Sequence, residues 1–239
     1  MLVTGGSRGI GAAVARAANA DGYRVAITFE NSVANAEQLV DEGVAELAVR
    51  ADAGDQASIV ASFAETVQAF GRVDALVNNA GIPGSYGTID TVTEAMLARV
   101  WAVNISGPFL YAREAVKHMS TSHGGAGGAI VNMSSKAAVI GGSGEWIHYA
   151  ASKGALESMT TGLAREVATQ GIRVNAVRPG LVDTDFDKTL APGRFERMRP
   201  MIPMQRPGTV EEVAAAVIWL CSAAASYTTG TFLDVSGGR

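Results

Sequence analysis

Short runs of β-branched and aliphatic residues alternate along this chain with longer, alanine-rich stretches whose apolar positions recur at helical spacing. Strands are predicted where the runs fall, at residues 24–28, 45–49, 73–77, 129–133, 172–177 and 231–235, after a short opening run of Met1, Leu2 and Val3. Helical periodicity occupies about 10–21, 34–42, 56–70, 94–120, 149–170 and 210–222, and Gly22, Gly43, Gly71 and Gly171 stand at helix ends, where a left-handed residue stops the helix. The strands are almost continuously apolar, as strands are when helices cover both faces of their sheet. The order of elements therefore predicts an α/β fold, a doubly wound three-layer α-β-α sandwich around a parallel sheet. The glycine-rich stretch 123–128 reads as a mobile turn before a strand.

Composition narrows this picture. A chain of 239 residues that is 48% apolar suits a single domain over 1–239 with a large core. Its net charge of −4, from 19 basic and 23 acidic residues, gives no electrostatic handle on nucleic acid or an anionic membrane. Small-molecule chemistry becomes the expectation. The one cysteine, Cys221, reads as a core hydrophobe on a late helix and fits a reducing compartment. No apolar stretch approaches the ~18 residues of a membrane span, and Met1 leads straight into Leu2 and Val3 without a charged leader, so a cytoplasmic location is expected.

The first chemical signal is the turn from Thr4 to Gly11, between the opening strand and an alanine-rich helix. Its glycines let the backbone approach a pyrophosphate, and the helix start offers unpaired N–H groups. The spacing is Gly-x3-Gly-x-Gly, and an ordinary strand-to-helix turn is the alternative. Four further elements follow in order: Asn78-Asn79-Ala80-Gly81 after a strand, Asn104 in a helical run, Ser135 after a strand, and Tyr149-x3-Lys153. Arg178-Pro179-Gly180 and the closing Asp234-Val235-Ser236-Gly237-Gly238 complete the set.

This ordered set resembles the short-chain dehydrogenase/reductase family over essentially the whole chain. The resemblance implies a Rossmann-like oxidoreductase that moves a hydride between a nicotinamide cofactor and the carbonyl or alcohol carbon of a small molecule. It places Asn104, Ser135, Tyr149 and Lys153 at catalytic positions. It places Gly5, Gly9, Ile10, Gly11, Asp52, Asn79 and Gly81 at dinucleotide positions, with Ser7 and Arg8 in the same turn, Ala80 beside Gly81, and Pro179, Gly180 and Thr184 toward the nicotinamide. The matching asparagine in the family holds a water that relays protons to the lysine. The family also implies a homotetramer built on the helices around Asn104 and Tyr149 and on the last strand.

Part of this chemistry follows from the residues themselves. Tyr149 and Lys153, four apart on a helix, leave the same face. A phenol of ordinary pKa ~10 is protonated at neutral pH, and an adjacent ammonium favours its phenolate, which can exchange a proton with a reacting oxygen. Ser135 is the candidate for binding that oxygen, and Ser134 competes, because strand alternation sends consecutive serines to opposite faces. The gap of 14 positions from Ser135 to Tyr149 is one more than is commonest in the family, which the loop 141–145 would absorb. Asn104, a short amide in a helical run, competes with the backbone and predicts a local irregularity; a buried amide satisfying backbone groups is its alternative.

Cofactor choice is contested within the sequence. Glu30 lies about 20 residues past the glycine turn, where an acid binds the ribose hydroxyls of NAD, whereas the family's acidic position falls on Phe29. Arg8 could pair with a 2′-phosphate, and NADP(H) is the expectation over NAD(H). Asp52 either meets the adenine edge or starts a helix, a role Asp55 could equally fill. Residues 185–206 mix Phe186, Leu190, Phe195, Met198, Met201, Ile202 and Met204 with prolines and arginines, which reads as a substrate lid or as a surface loop. Trp146, Ile147 and His148 are candidate substrate neighbours, His148 being as readily structural. No histidine has companions at metal-site spacing, so no metal is expected. The alternatives to the oxidoreductase are a non-catalytic dinucleotide-binding regulator on the same fold and an epimerase or dehydratase.

Overall fold

The computed structural model describes residues 1–184 and 193–239. Its strands are β1 (Leu2–Val3), β2 (Ala26–Phe29), β3 (Leu47–Arg50), β4 (Ala75–Asn78), β5 (Gly128–Met133), β6 (Ile172–Pro179) and β7 (Phe232–Val235). All pair in parallel in one sheet of order β3-β2-β1-β4-β5-β6-β7. The chain builds outward from β1 through β2 to β3, then crosses back to β4 on the other side of β1. The crevice at that reversal, outside the carboxyl ends of β1 and β4, is where doubly wound sheets bind ligands.

Alternation along the strands supplies two cores. Val3, Ile27, Val77, Val131 and Val177 pack on one face against α1 (Gly9–Ala20) and a late helix, Val210–Cys221. Leu2, Leu76, Ile130 and Val174 pack on the other against residues of α3 (Gln56–Phe70), α5 (Gly107–Met119) and α7 (Ile147–Val167). Among the described residues the other helices are α2 (Val33–Asp41), α4 (Glu94–Trp101), the single-turn α6 (Ala137–Ile140) and α8 (Arg194–Met198), and Val210–Cys221 is labelled α9. The glycines expected at helix ends do adopt positive φ, +87° at Gly22 and +79° at Gly71.

Several local expectations are corrected. The helix predicted over 94–120 is two helices joined by one π turn, Ala102–Ser106. The α7 helix begins two residues before Tyr149, and its end tightens into a 3₁₀ turn at Ala168–Gln170. The turn at 123–128 is pinned: the amides of Gly125 and Gly127 donate to Ser120 O and Met119 O, and that of Gly128 to Gly171 O. Its glycines serve close approach, since a side chain at Gly127 would strike the Gly171 carbonyl. Of the expected lid, residues 185–192, with Phe186 and Leu190, lie outside the described residues. Within the rest, Met198 and Ile202 are buried in a small cluster with Leu181 against Phe195, while Met201 and Met204 are exposed.

Candidate active site

The glycine turn is shaped to receive an anion. Gly5 and Gly9 hold φ of +61° and +53°, a left-handed backbone that side chains disfavour. A Cβ at Gly11 would strike the Gly5 carbonyl, so the turn folds tightly onto the start of α1. Arg8, in the N-cap position, gives that helix no side-chain cap, and no acid stands in its first turn. The first-turn N–H groups thus keep their partial positive charge for a phosphate. These features fit a dinucleotide pyrophosphate. Ser7 is buried in this turn, Ile10 half-buried and Arg8 exposed.

The β4 loop fixes the turn from the other side of the crevice. The Asn79 amide donates to Thr4 O at 2.9 Å and Gly5 O at 3.0 Å, and the backbone amides of Asn79 and Ala80 both donate to Thr4 Oγ1 at 3.0 Å. Asn79 and Ala80 therefore act on the turn, and Thr4, a residue sequence reasoning passed over, is their common anchor. A strand-end threonine opposite an Asn-Ala pair was the available signal. Gly81 then brings its backbone close to Asn104 and Lys153: a Cβ there would lie 3.4 Å from both Asn104 Oδ1 and Lys153 Nζ.

Helix α7 supplies the central pair. Lys153 is buried, donates from Nζ to Met133 O at 2.7 Å, and lies 5.4 Å from the centroid of the Tyr149 ring. Burial drives its ammonium pKa down to about 8, so the amine is still mostly cationic at neutral pH. Met133 closes β5 directly before the two serines, so the lysine stands between Tyr149 and the serine-bearing loop. Ser134 is buried and donates to Glu157 Oε1 at 2.7 Å, whereas Ser135 is half-buried and its Oγ accepts the Ala137 amide at 3.1 Å. The alternation expected for consecutive serines is thus realised, with Ser134 held inward. Glu157 also takes the Arg178 guanidinium through two 2.6 Å bonds, which ties α7 to β6 beside Pro179.

Asn104 lies within the π turn, and its side chain is fully engaged. Oδ1 accepts the Ile82 amide, and Nδ2 donates to Ile82 O and to Ser152 Oγ, whose hydroxyl donates to Tyr149 O. The amide holds the Gly81 loop to α7, and the π turn takes the backbone around Asn104 out of the regular helical ladder.

The remaining positions divide. Thr184 Cγ2 lies 3.9 Å from a Cβ built on Gly9, which places it at the glycine turn. Gly180 lets its loop meet the final strand, its amide bonded to Val235 O and its α-carbon facing Ser236. Pro179 O receives the Lys136 amide. Asp52 does not cap α3; Asp55 does, accepting the Ser58 amide at 2.7 Å. Asp52 instead accepts the Gly54 amide and, on both oxygens, Arg99 Nη1 at 2.9 Å. Burial pushes its pKa up, but the Arg99 and Gly54 bonds outweigh that and hold it below the usual carboxylate range. Trp146 and His148, offered as substrate neighbours, are buried, and His148 Nε2 meets Pro83 O at 2.8 Å, leaving only Ile147 partly open. Among the described residues no group of three or more His, Cys, Asp or Glu is placed to hold a metal ion.

A family model described as "Enoyl-(Acyl carrier protein) reductase" matches residues 5–239. The chain is 46% identical over 243 residues to the "Uncharacterized oxidoreductase YgfF" of Escherichia coli (strain K12), covering all of this chain and 98% of that one. The same fold, at TM-score 0.91 and 36% identity, occurs in a short-chain dehydrogenase from Burkholderia cenocepacia J2315 in complex with NADP, over 99% of this chain and 96% of that one. The chain belongs to the short-chain dehydrogenase/reductase family. A further short-chain dehydrogenase/reductase fold is the 3-ketoacyl-(acyl-carrier-protein) reductase from Brucella melitensis complexed with NADH, at TM-score 0.92 and 33% identity, over 100% and 96% of the two chains. As a short-chain dehydrogenase/reductase the protein is an NAD(P)-dependent oxidoreductase of the CH–OH/C=O class, and the reading as a non-catalytic regulator is set aside.

Proposed function

We propose that this oxidoreductase interconverts the carbonyl and alcohol forms of a small organic substrate with Tyr149 as acid/base, Lys153 as its electrostatic partner and Ser135 as donor to the reacting oxygen. The observation that carries this reading is the buried Lys153 ammonium, held at the end of β5 and 5.4 Å from the Tyr149 ring centroid, at the mouth of the crevice that the glycine turn lines.

Gly5, Ser7, Arg8, Gly9, Ile10 and Gly11 would hold the pyrophosphate, Asp52 the adenosine end, and Pro179, Gly180 and Thr184 the nicotinamide end, with Asn79, Ala80 and Gly81 shaping the wall between them. When bound, the nicotinamide supplies or takes the hydride. In the reductive direction Tyr149 gives its phenolic proton to the carbonyl oxygen as negative charge grows there, and Ser135 stabilises the same oxygen by donating its hydroxyl. In the oxidative direction the phenolate removes the alcohol proton. Lys153 favours the phenolate by its charge, and the backbone of the π turn at Asn104 is the route by which that amine exchanges protons with water.

NADP(H) is the preferred cofactor in this reading, because Arg8 is exposed at the glycine turn and engages no carboxylate among the described residues. The segment at 185–206 serves as the substrate lid, its described part anchored by Met198 and Ile202. The assembly is a homotetramer, and the location is the cytoplasm, which suits the single thiol at Cys221.

The test is Tyr149→Phe, assayed against a panel of oxo compounds and alcohols. Turnover should fall on the order of 10²–10⁴-fold while NADPH binding persists. A residual rate near wild type would remove the tyrosine from this role.

A further inference from the structure

We propose that Arg99, reaching across the crevice from α4, determines cofactor preference by neutralising Glu30, so that an acid placed to exclude a 2′-phosphate no longer does so. The proposal rests on the reading that the glycine turn holds a dinucleotide, and it deepens that reading at the adenosine end.

The tips of β2 and β3 are fixed beside the glycine turn. Gly6 donates its amide to Thr28 O at 2.9 Å, Ala51 its amide to Phe29 O at 2.8 Å, and Arg50 its Nε to Glu30 O at 3.1 Å. Glu30 is therefore a residue of the nucleotide end of the crevice. An acid in this region accepts hydrogen bonds from free ribose hydroxyls and repels a phosphate. Here its carboxylate is already engaged: Arg99 Nη2 meets Glu30 Oε1 at 3.1 Å, while Nη1 of the same guanidinium bridges both oxygens of Asp52 at 2.9 Å. One arginine thus binds both acids of the adenosine end, and Arg50, with its Nε on the Glu30 carbonyl, adds a further cation beside them.

A plain surface staple between α4 and the strand tips would look similar, but its consequence differs. A staple affects both cofactors alike, because they share the adenine and the pyrophosphate. Neutralisation of Glu30 separates them, because it relieves repulsion of the extra phosphate while occupying the carboxylate that free ribose hydroxyls would otherwise bond. Arg99 and Glu30 are each about two-fifths exposed, with side-chain exposures of 39% and 46%, so the effect is also screened by salt.

The experiment is calorimetric titration of NADPH and of NADH, at low and at physiological ionic strength, into the intact protein and its Arg99→Gln, Arg99→Lys, Glu30→Gln and Arg99→Gln/Glu30→Gln variants. Arg99→Gln exposes Glu30 to a dianionic phosphate, and its NADPH Kd should rise about tenfold at low salt, with NADH changing less than about threefold. Adding Glu30→Gln should restore most of the loss, and Arg99→Lys, which keeps the charge, should keep the wild-type ratio of the two affinities. Glu30→Gln alone, an exposed change with little bearing on folding, should leave NADPH bound at least as tightly as in wild type. Equal weakening of both cofactors by Arg99→Gln, or failure of Glu30→Gln to restore NADPH, would overturn the proposal. Wild-type protein that bound neither cofactor would refute the nucleotide reading itself, and the proposal with it.

Discussion

Lys153 must carry its charge in a buried position. Its Nζ has the Met133 carbonyl as partner and the face of Tyr149 nearby, and burial lowers its pKa from 10.5 to about 8. The native state therefore binds fewer protons than the unfolded chain between about pH 8 and 10.5, and this residue's contribution to stability rises with pH through that window. Below pH 8 the buried ammonium costs up to roughly 3 kcal/mol, which is the lowered pKa restated as free energy. Lys153→Met should then unfold at higher urea than wild type at pH 7, with the gap narrowing between pH 8 and 10 and turnover lost throughout. A gap independent of pH would mean the amine is hydrated in solution. The position of Lys153 opposite Tyr149 was legible because helical geometry converts a spacing of four into a shared face. The pairing of Arg99 with Asp52 and Glu30 was not, because 47 and 69 residues separate those partners and only the folded sheet brings them together.

At the scale of elements, one carboxylate ties together the parts that would carry the proposed chemistry. Glu157 sits one turn beyond Lys153 on α7, accepts from Ser134 at the end of β5, and takes both arms of Arg178 on β6, with side chains only 13% and 17% exposed. Removing it leaves Arg178 with Asp234 as its remaining carboxylate, at 3.8 Å, and Ser134 without its acceptor. Because the pair is not wholly dry, Glu157→Ala should cost about 2–3 kcal/mol, below the full penalty for breaking a buried pair. Urea unfolding at pH 7 measures it, and a loss under about 0.5 kcal/mol would class the pair with ordinary surface bridges. Sequence periodicity placed α7 well but missed this clamp, since a glutamate and an arginine on different elements leave no periodic trace. The π turn at Asn104 was half legible: a short amide in a helical run signalled an irregularity, but an apolar period cannot show that the run over 94–120 divides there. Strand ends moved by up to two residues, because a hydrophobic run and a ladder of hydrogen bonds need not share their ends.

At the scale of the whole molecule, the α/β alternation and the apolar strands were enough to anticipate a parallel doubly wound sheet, because burial on both faces forces that composition. What alternation could not reveal is which helical faces remain uncovered. Trp101 at the end of α4 is 45% exposed, Phe109 on α5 is 50% exposed, and Ile147 at the start of α7 is 37% exposed. These are large apolar groups on the helices that flank Asn104 and Tyr149, where an isologous contact would bury them against copies of themselves. If the homotetramer forms there, wild-type protein should give a light-scattering mass of four chains. Phe109→Glu should reduce it to a smaller species, because two carboxylates brought together across a symmetry axis repel and must lose their water. Its circular dichroism should be unchanged, since the side chain contributes to no core of the single chain. Phe109→Leu, which keeps an apolar contact, should retain most of the assembly. A wild-type mass of one chain would sink the tetramer. A mass unaffected by Phe109→Glu would move the contact away from α5, toward the final strand or the exposed Trp219 and Tyr227 near it.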